Sequence, residues 1–187
     1  ISANTAALVS SPLFVALEKG YFKEEGLQVE VVPFTTGKNA LEALIANKTD
    51  VSLNAEFPAL NAFLKGGKVC TLGDIAREPF ELIARKDRVS SFDKESLSGK
   101  KFGVPKGTTG DFFLQIFLTG KGLEPAGYEI IDLKPPYLAA ALVRGDVDAI
   151  TCAPPETHYA KVFLGDNFIA TDSKGLYSEH FGLWTSE

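Results

Sequence analysis

The strongest constraint on this chain is that it is written twice. Residues 43–51 and 141–149 align without a gap, each reading as a helix end, a stop residue, then an aspartate leading into an apolar strand. Upstream, Gly26-Leu27 ahead of residues 29–32 is echoed by Gly122-Leu123 ahead of residues 128–131. Each half therefore predicts a helix, a Gly-Leu turn, a strand, a helix, a second turn, a strand and a helix. Two such halves make two α/β lobes, and a cleft between lobes is a usual place for a small molecule.

The apolar pattern fills in the elements. Helices are predicted over 12–20, with Pro12 in the first turn, and from Thr36 or Gly37 with Leu41, Leu44 and Ile45 facing inward. The helix over 56–64 is expected to bury Phe57, Leu60 and Leu64, and Gly66-Gly67 ends it. Strands are predicted over 29–34, 51–53, 69–75 and 80–84, with a turn at 77–79. The polar stretch 85–99 reads as the first passage into lobe two. That lobe is expected to hold strands at 101–104, 130–131, 149–152 and 168–169. Its helices are a glycine-led one burying Phe112, Phe113, Ile116 and Phe117, one over 136–143, and one from Pro154-Pro155 to Phe163. Residues 182–185 return to lobe one. Lobe one is thus 1–86 plus 181–187 and lobe two is 87–180. The alternation implies an α/β fold with mostly parallel sheets.

Charge and composition exclude several classes. Nineteen basic against 24 acidic residues leave a net charge of −5, with no basic run, so nucleic acid is not an expected partner. No apolar stretch approaches the ~20 residues of a membrane helix. Cys70 and Cys152 read as small buried hydrophobes. With His158 and His180 so far apart, no spacing suits a metal, and neither a metal nor a cofactor is expected. The chain opens on Ile1 without an initiator methionine or a signal peptide, so it reads as a processed product or an excised piece.

Ligands of parallel α/β sheets bind beyond the carboxyl ends of the strands, where helices begin. That rule nominates Ser10 and Ser11, Thr36 and Gly37, Asn54 and Glu56, the turn Gly107-Thr108-Thr109-Gly110, and Pro155 with Glu156. Glycines let backbone approach a ligand, and free N–H groups at a helix start favour an anion. The competing reading is plain helix capping by the Ser and Thr hydroxyls. Glu56 and Glu156 suit a ligand with amine or N–H groups, or serve simply as first-turn acids. Tyr137 and Phe57 are candidates for stacking on a ring, with core packing the alternative for Phe57.

Residues 12–27, running through Glu18-Lys19-Gly20-Tyr21-Phe22-Lys23-Glu24-Glu25-Gly26-Leu27, resemble a segment of bacterial solute-binding proteins of the nitrate/sulfonate/taurine and thiamine-precursor (NMT1-like) group. Residues 99–108 are similar to that group's opening of lobe two, and Gly145-Asp146-Val147-Asp148-Ala149 to a further motif. The resemblance implies a type II periplasmic-binding-protein fold with two crossover strands. It implies capture of a small sulfonate-like or amine-bearing solute, such as taurine, an alkanesulfonate, nitrate or a thiamine-precursor pyrimidine. Delivery would be to the membrane permease of an ABC importer, by a monomer, in the periplasm or on the outer face of the membrane. Lobe closure is expected to hinge near 85–87 and 181–183. Members run longer than this chain, with helices after the return strand, so lobe one is expected to be incomplete. A ligand-sensing domain of a membrane signalling protein is the alternative. Fungal thiamine-pyrimidine synthases share the fold but use a cofactor lysine, a donor histidine and a cysteine-rich iron motif. The isolated cysteines here lead to the expectation that the chain is not an enzyme.

Overall fold

The computed structural model describes residues 1–186, which form two compact units. The first comprises Ile1–Glu78 and the chain from Glu179 on; the second is Pro79–Ser178.

The first unit contains β1 (Ser2–Asn4), α1 (Ser11–Lys19), α2 (Tyr21–Glu24), β2 (Val32–Phe34), α3 (Gly37–Ile45), β3 (Val51–Ala55), α4 (Glu56–Leu64) and β4 (Val69–Glu78). The second contains β5 (Glu81–Arg85), α5 (Lys94–Leu97), β6 (Lys101–Val104), α6 (Thr109–Gly120), β7 (Glu129–Asp132), α7 (Pro135–Arg144), β8 (Ala149–Cys152), α8 (Glu156–Leu164) and β9 (Phe168–Asp172). The chain then returns as β10 (Glu179–Ser186).

The sequence repeat is a repeat of topology. The first sheet has the order β2-β1-β3-β10-β4 and the second β7-β6-β8-β5-β9. In the first, β1 is parallel to β2 and β3, and β10 runs antiparallel to β3 and β4. In the second, β6 is parallel to β7 and β8, and β5 runs antiparallel to β8 and β9. The repeated stops work alike. Asn47 (φ 54°) and Gly145 (φ 82°) occupy matching left-handed positions after α3 and α7. The next N–H in each case reaches back over the helix end, from Lys48 to Ala43 O at 2.9 Å and from Asp146 to Ala141 O at 3.0 Å. This is the Schellman closure that uses up otherwise unpaired carbonyls. The repeated aspartate does structural work in the second unit, where Asp148 accepts from Lys101 N at 2.9 Å and from Arg88 at 3.1 Å.

Strands alternate between faces. Leu82, Ala84, Phe102, Val104 and Ala149 pack with Phe113, Leu114, Phe117 and Leu118 of α6. Ile83 and Ile150 face the other way, onto Leu138 and Leu142 of α7 and Ala160 of α8. In the first unit Ala3, Leu53, Ala55 and Phe181 meet Val9 and Leu13, and Leu41 and Leu44 of α3 meet Ala59 and Val69.

Several expectations are corrected. The sheets are mixed rather than mostly parallel. A strand that follows a passage enters at the carboxyl edge of the parallel strands and must run back through them. Residues 81–85 pair into the second sheet as β5, and residues 179–180 begin β10, so the passages fall at 78/79 and 178/179 and not within 85–87 or 181–183. β1 was not expected at all. α4 shows its large residues outward, with Leu60, Phe63 and Leu64 at 52%, 62% and 72% exposure, because it packs through the small Pro58 and Ala59. α6 buries Leu114 and Leu118 beside Phe113 and Phe117, leaving Phe112 and Ile116 only partly covered. Cys70 is exposed on β4 and Cys152 partly so, so neither is the fully buried hydrophobe expected. Among the described residues no helix is long and apolar enough to cross a membrane, and no group of His, Cys, Asp and Glu is placed to hold a metal.

Candidate functional site

At the carboxyl edges of the parallel strands, α1, α3 and α4 begin in the first unit and α6, α7 and α8 in the second. The first-turn N–H groups of a helix have no partner within it, so these six starts are where each unit offers donors.

Ser10 occupies the N-cap of α1 but makes no side-chain cap bond. Its buried hydroxyl donates to Asn4 O at 2.7 Å, and that of Ser11 to Leu8 O at 2.6 Å. Both hydroxyls therefore brace the short turn over 8–10. Thr36 is a true N-cap of α3, its Oγ1 accepting from Asn39 N at 3.2 Å. Gly37 follows because α3 starts hard against β3: a Cβ there would sit 3.1 Å from Asn54 Cβ.

Asn54 is fully buried. Its Nδ2 donates to Ala55 O at 2.7 Å, its Oδ1 accepts from Ser52 at 2.8 Å, and its backbone carbonyl accepts from Trp184 Nε1 at 3.0 Å. Asn54 thus fixes the end of β3 rather than presenting an amide to solvent. Glu56, the first residue of α4, is half-buried and its Oε2 accepts from the backbone N–H of His180 at 2.9 Å.

In the second unit the glycine-bracketed turn leads into α6. Thr108 holds the N-cap position without a side-chain cap bond, its hydroxyl donating instead to Pro105 O at 2.7 Å. Gly107 N–H donates to Asp111 Oδ2 at 2.8 Å, while Asp111 Oδ1 accepts from Gln115 at 2.8 Å. A carboxylate of the protein's own therefore occupies this helix start. Thr109 is 2% exposed, and Gly110 is covered by the Phe80 ring, 3.2 Å from where a Cβ would stand. Gly107 and Thr108 remain partly open. At α8, Pro155 is the N-cap and Glu156 the first residue, both partly exposed. Burial pushes the Glu156 carboxyl above the usual carboxylate range, with its own backbone hydrogen bond pulling the other way. Tyr137 stands 62% exposed on α7, and Phe57 is partly buried.

The helix starts fall into two kinds. α4, α6 and α8 carry an acid in the first turn, Glu56, Asp111 and Glu156, whereas α1, α3 and α7 carry none. The acidic starts attract N–H donors and the neutral ones accept negative or polar groups. Asp111 was not singled out from the sequence, although the third position after a Thr N-cap is a known seat for an acid that reaches back. His180 and Asp74, which form a hydrogen-bonded pair at 2.9 Å beside Glu56, were also missed, since they lie 106 positions apart.

Two α/β units of the same strand order, joined by two passages, define a two-lobed type II periplasmic-binding-protein fold. A solved relative bears this out: the alkanesulfonate-binding protein SsuA from Xanthomonas axonopodis pv. citri, bound to MOPS, superposes with a TM-score of 0.81 at 21% identity over 100% of this chain and 64% of its own. By sequence the chain belongs to the NMT1/THI5-like family, whose model matches residues 8–160.

Two curated relatives pull in different directions. A Bacillus subtilis protein named for binding aliphatic sulfonates is 33% identical over 186 residues, covering 92% of this chain and 54% of the relative. The 4-amino-5-hydroxymethyl-2-methylpyrimidine phosphate synthase of Aspergillus parasiticus is 31% identical over 140 residues, covering 74% of this chain and 40% of the synthase. The chain thus spans about half or less of the length of these relatives. The synthase likeness, shared by yeast relatives of the same description, overturns the expectation that the chain is not an enzyme. Missing cysteine clusters do not remove it from a family that contains enzymes.

Proposed function

We propose that this chain is the solute-binding part of an ABC importer, working outside the cytoplasm as a monomer, with a small polar solute as ligand and a membrane permease as partner. The ligand is an amine-bearing molecule with a polar or anionic end, of the aminopyrimidine or aminosulfonate kind. The observation that carries this reading is the division of helix starts, with acids at α4, α6 and α8 and none at α1 and α3. A ligand carrying only negative charge is disfavoured beside Glu56 or Glu156, where like charges repel. One with an amino group gains charge-assisted hydrogen bonds from the same residues. Within the first unit the proposed contacts are Glu56 for the amine and Ser11, Thr36 and Gly37 for the polar end, and within the second unit Glu156 is proposed for an amine.

The test is a thermal-shift and calorimetric series with 4-amino-5-hydroxymethyl-2-methylpyrimidine, taurine and hexanesulfonate. A ligand at ~100 times its Kd adds roughly 2.7 kcal/mol of stability. Binding of an amine-bearing ligand, weakened about tenfold, or about 1.4 kcal/mol, in Glu56→Gln, supports the reading. Binding of hexanesulfonate alone, or an unchanged affinity in Glu56→Gln, overturns it. The synthase relatives favour a second reading, in which a pyrimidine precursor is transformed. Mass spectrometry of the ligand after incubation separates the two, because an importer component returns it unchanged.

A further inference from the structure

His180 is the second residue of β10, and the pairing of Phe181 with Ala55 sets it level with the carboxyl end of β3, where α4 begins. Three contacts or their absence define its surroundings. Its backbone N–H donates to Glu56 Oε2 at 2.9 Å. Its ring Nδ1 is 2.9 Å from Asp74 Oδ2. Its Nε2 makes no hydrogen bond among the described residues, and the side chain is 40% exposed.

A surface His–Asp pair adds little to stability, typically about 0–1 kcal/mol. What it does add is orientation. With Nδ1–H donated to Asp74, the ring is held in one tautomer and Nε2 is left as an acceptor. Asp74 lies on β4, across from Gly182, and Arg77 of β4 stands opposite His180 itself. The charged groups adjoining His180 are therefore Asp74, which contacts the ring, Arg77 across the strand pair, and Glu56, which holds the backbone N–H.

We infer that His180 is a ligand-binding residue of the first unit, its Nε2 accepting an N–H of the solute beside Glu56, with Asp74 as the positioning residue that sets the ring. The inference rests on the amine-bearing ligand proposed above, and it adds a specificity element. A neutral imidazole beside a carboxylate is matched by adjacent donors on one ligand, as in an amino group next to a ring N–H. Protonation of the ring converts Nε2 from acceptor to donor and reverses that preference.

The chain has two histidines, so its imidazole signals are readily assigned. The experiment adds the aminopyrimidine, taurine and hexanesulfonate in turn to the full chain at a series of pH values from about 5.5 to about 8. Calorimetry and the ring NMR signals are read together for the native chain, His180→Gln, Asp74→Asn and the exposed control His158→Gln. The expected result is a ligand-induced shift confined to the His180 ring signals and a loss of about tenfold in affinity in His180→Gln. Asp74→Asn is expected to move the pH profile of binding while leaving the fold intact, and His158→Gln to bind as the native chain does. Native affinity in His180→Gln, or an unperturbed His180 ring in a complex weakened by Glu56→Gln, overturns the inference while sparing the amine reading. A His180 shift caused only by hexanesulfonate, which has no N–H to donate, overturns both the inference and the amine reading. Binding of none of the three overturns both.

Discussion

Glu56 and His180 lie 124 positions apart, yet the carboxylate of one accepts the backbone N–H of the other at 2.9 Å. The bond ties the first turn of α4 to the start of the strand that returns from the second unit. Glu56→Ala is expected to cost about 1 kcal/mol through this lost acceptor. For a chain of this size that lowers the unfolding midpoint by about 2–4 °C. Glu56→Gln keeps an acceptor and should hold near the native midpoint, so scanning calorimetry of the two variants isolates the bond from the charge.

Glu156 supplies a pH dependence. Its folded-state carboxyl is raised by burial, so the folded chain holds this proton more tightly than the unfolded one. Stability at this site is greatest below the unfolded value and falls as pH rises through the raised folded value. Urea unfolding of the native chain and Glu156→Gln across that window should give curves that converge at low pH and separate above it, with the variant more stable at neutral pH.

Gly182 is required by a close approach. A Cβ there would lie 2.7 Å from Gly73 O, a backbone atom with little room to move. Gly182→Ala should destabilise by about 1–3 kcal/mol, the usual range for overpacking. Denaturant unfolding checks it, and a midpoint equal to the native one would contradict the packing described for β4 and β10.

Thr151 offers the opposite sign. Its side chain is fully buried on β8 and its hydroxyl has no hydrogen-bond partner among the described residues. Thr151→Val removes an unpaired polar atom while keeping the branched shape, so stability is expected to hold or rise by up to about 1 kcal/mol. A loss of more than that in urea unfolding would mean the hydroxyl is satisfied in solution.

The sequence carried the repeat because the repeat is local. The stops Asn47 and Gly145 and the Gly-Leu turns are set by residues within six positions of one another. The helices were legible for the same reason, and α4 was read to its exact limits. What was not legible depends on distant partners. β1 is three residues long and earns its strand pairing only from β2 and β3. The outward face of α4 follows from which small residues meet α3 and β4, which periodicity alone does not reveal. At the candidate site, helix starts were visible, but the fate of each side chain was not. Asn54 turned inward, Ser10 and Ser11 braced their own turn, and Asp111 took the Gly107 N–H, each through a bond the one-dimensional pattern leaves open.

The position of β10 in its sheet has a consequence for how the chain is made. Among the described residues β4 pairs in that sheet with β10 alone, and β10 follows the whole of the second unit in the chain. The second unit is one unbroken stretch, so all its strands are available to one another before β10 is synthesised. The first unit must wait, holding a ten-residue strand without its neighbour until β10 enters between β3 and β4. Such long-range closure is slow. Vectorial synthesis therefore lets the second unit pair before the first is closed, and through that interval the unpaired edge of β4 is vulnerable to proteases and to pairing with the wrong chain.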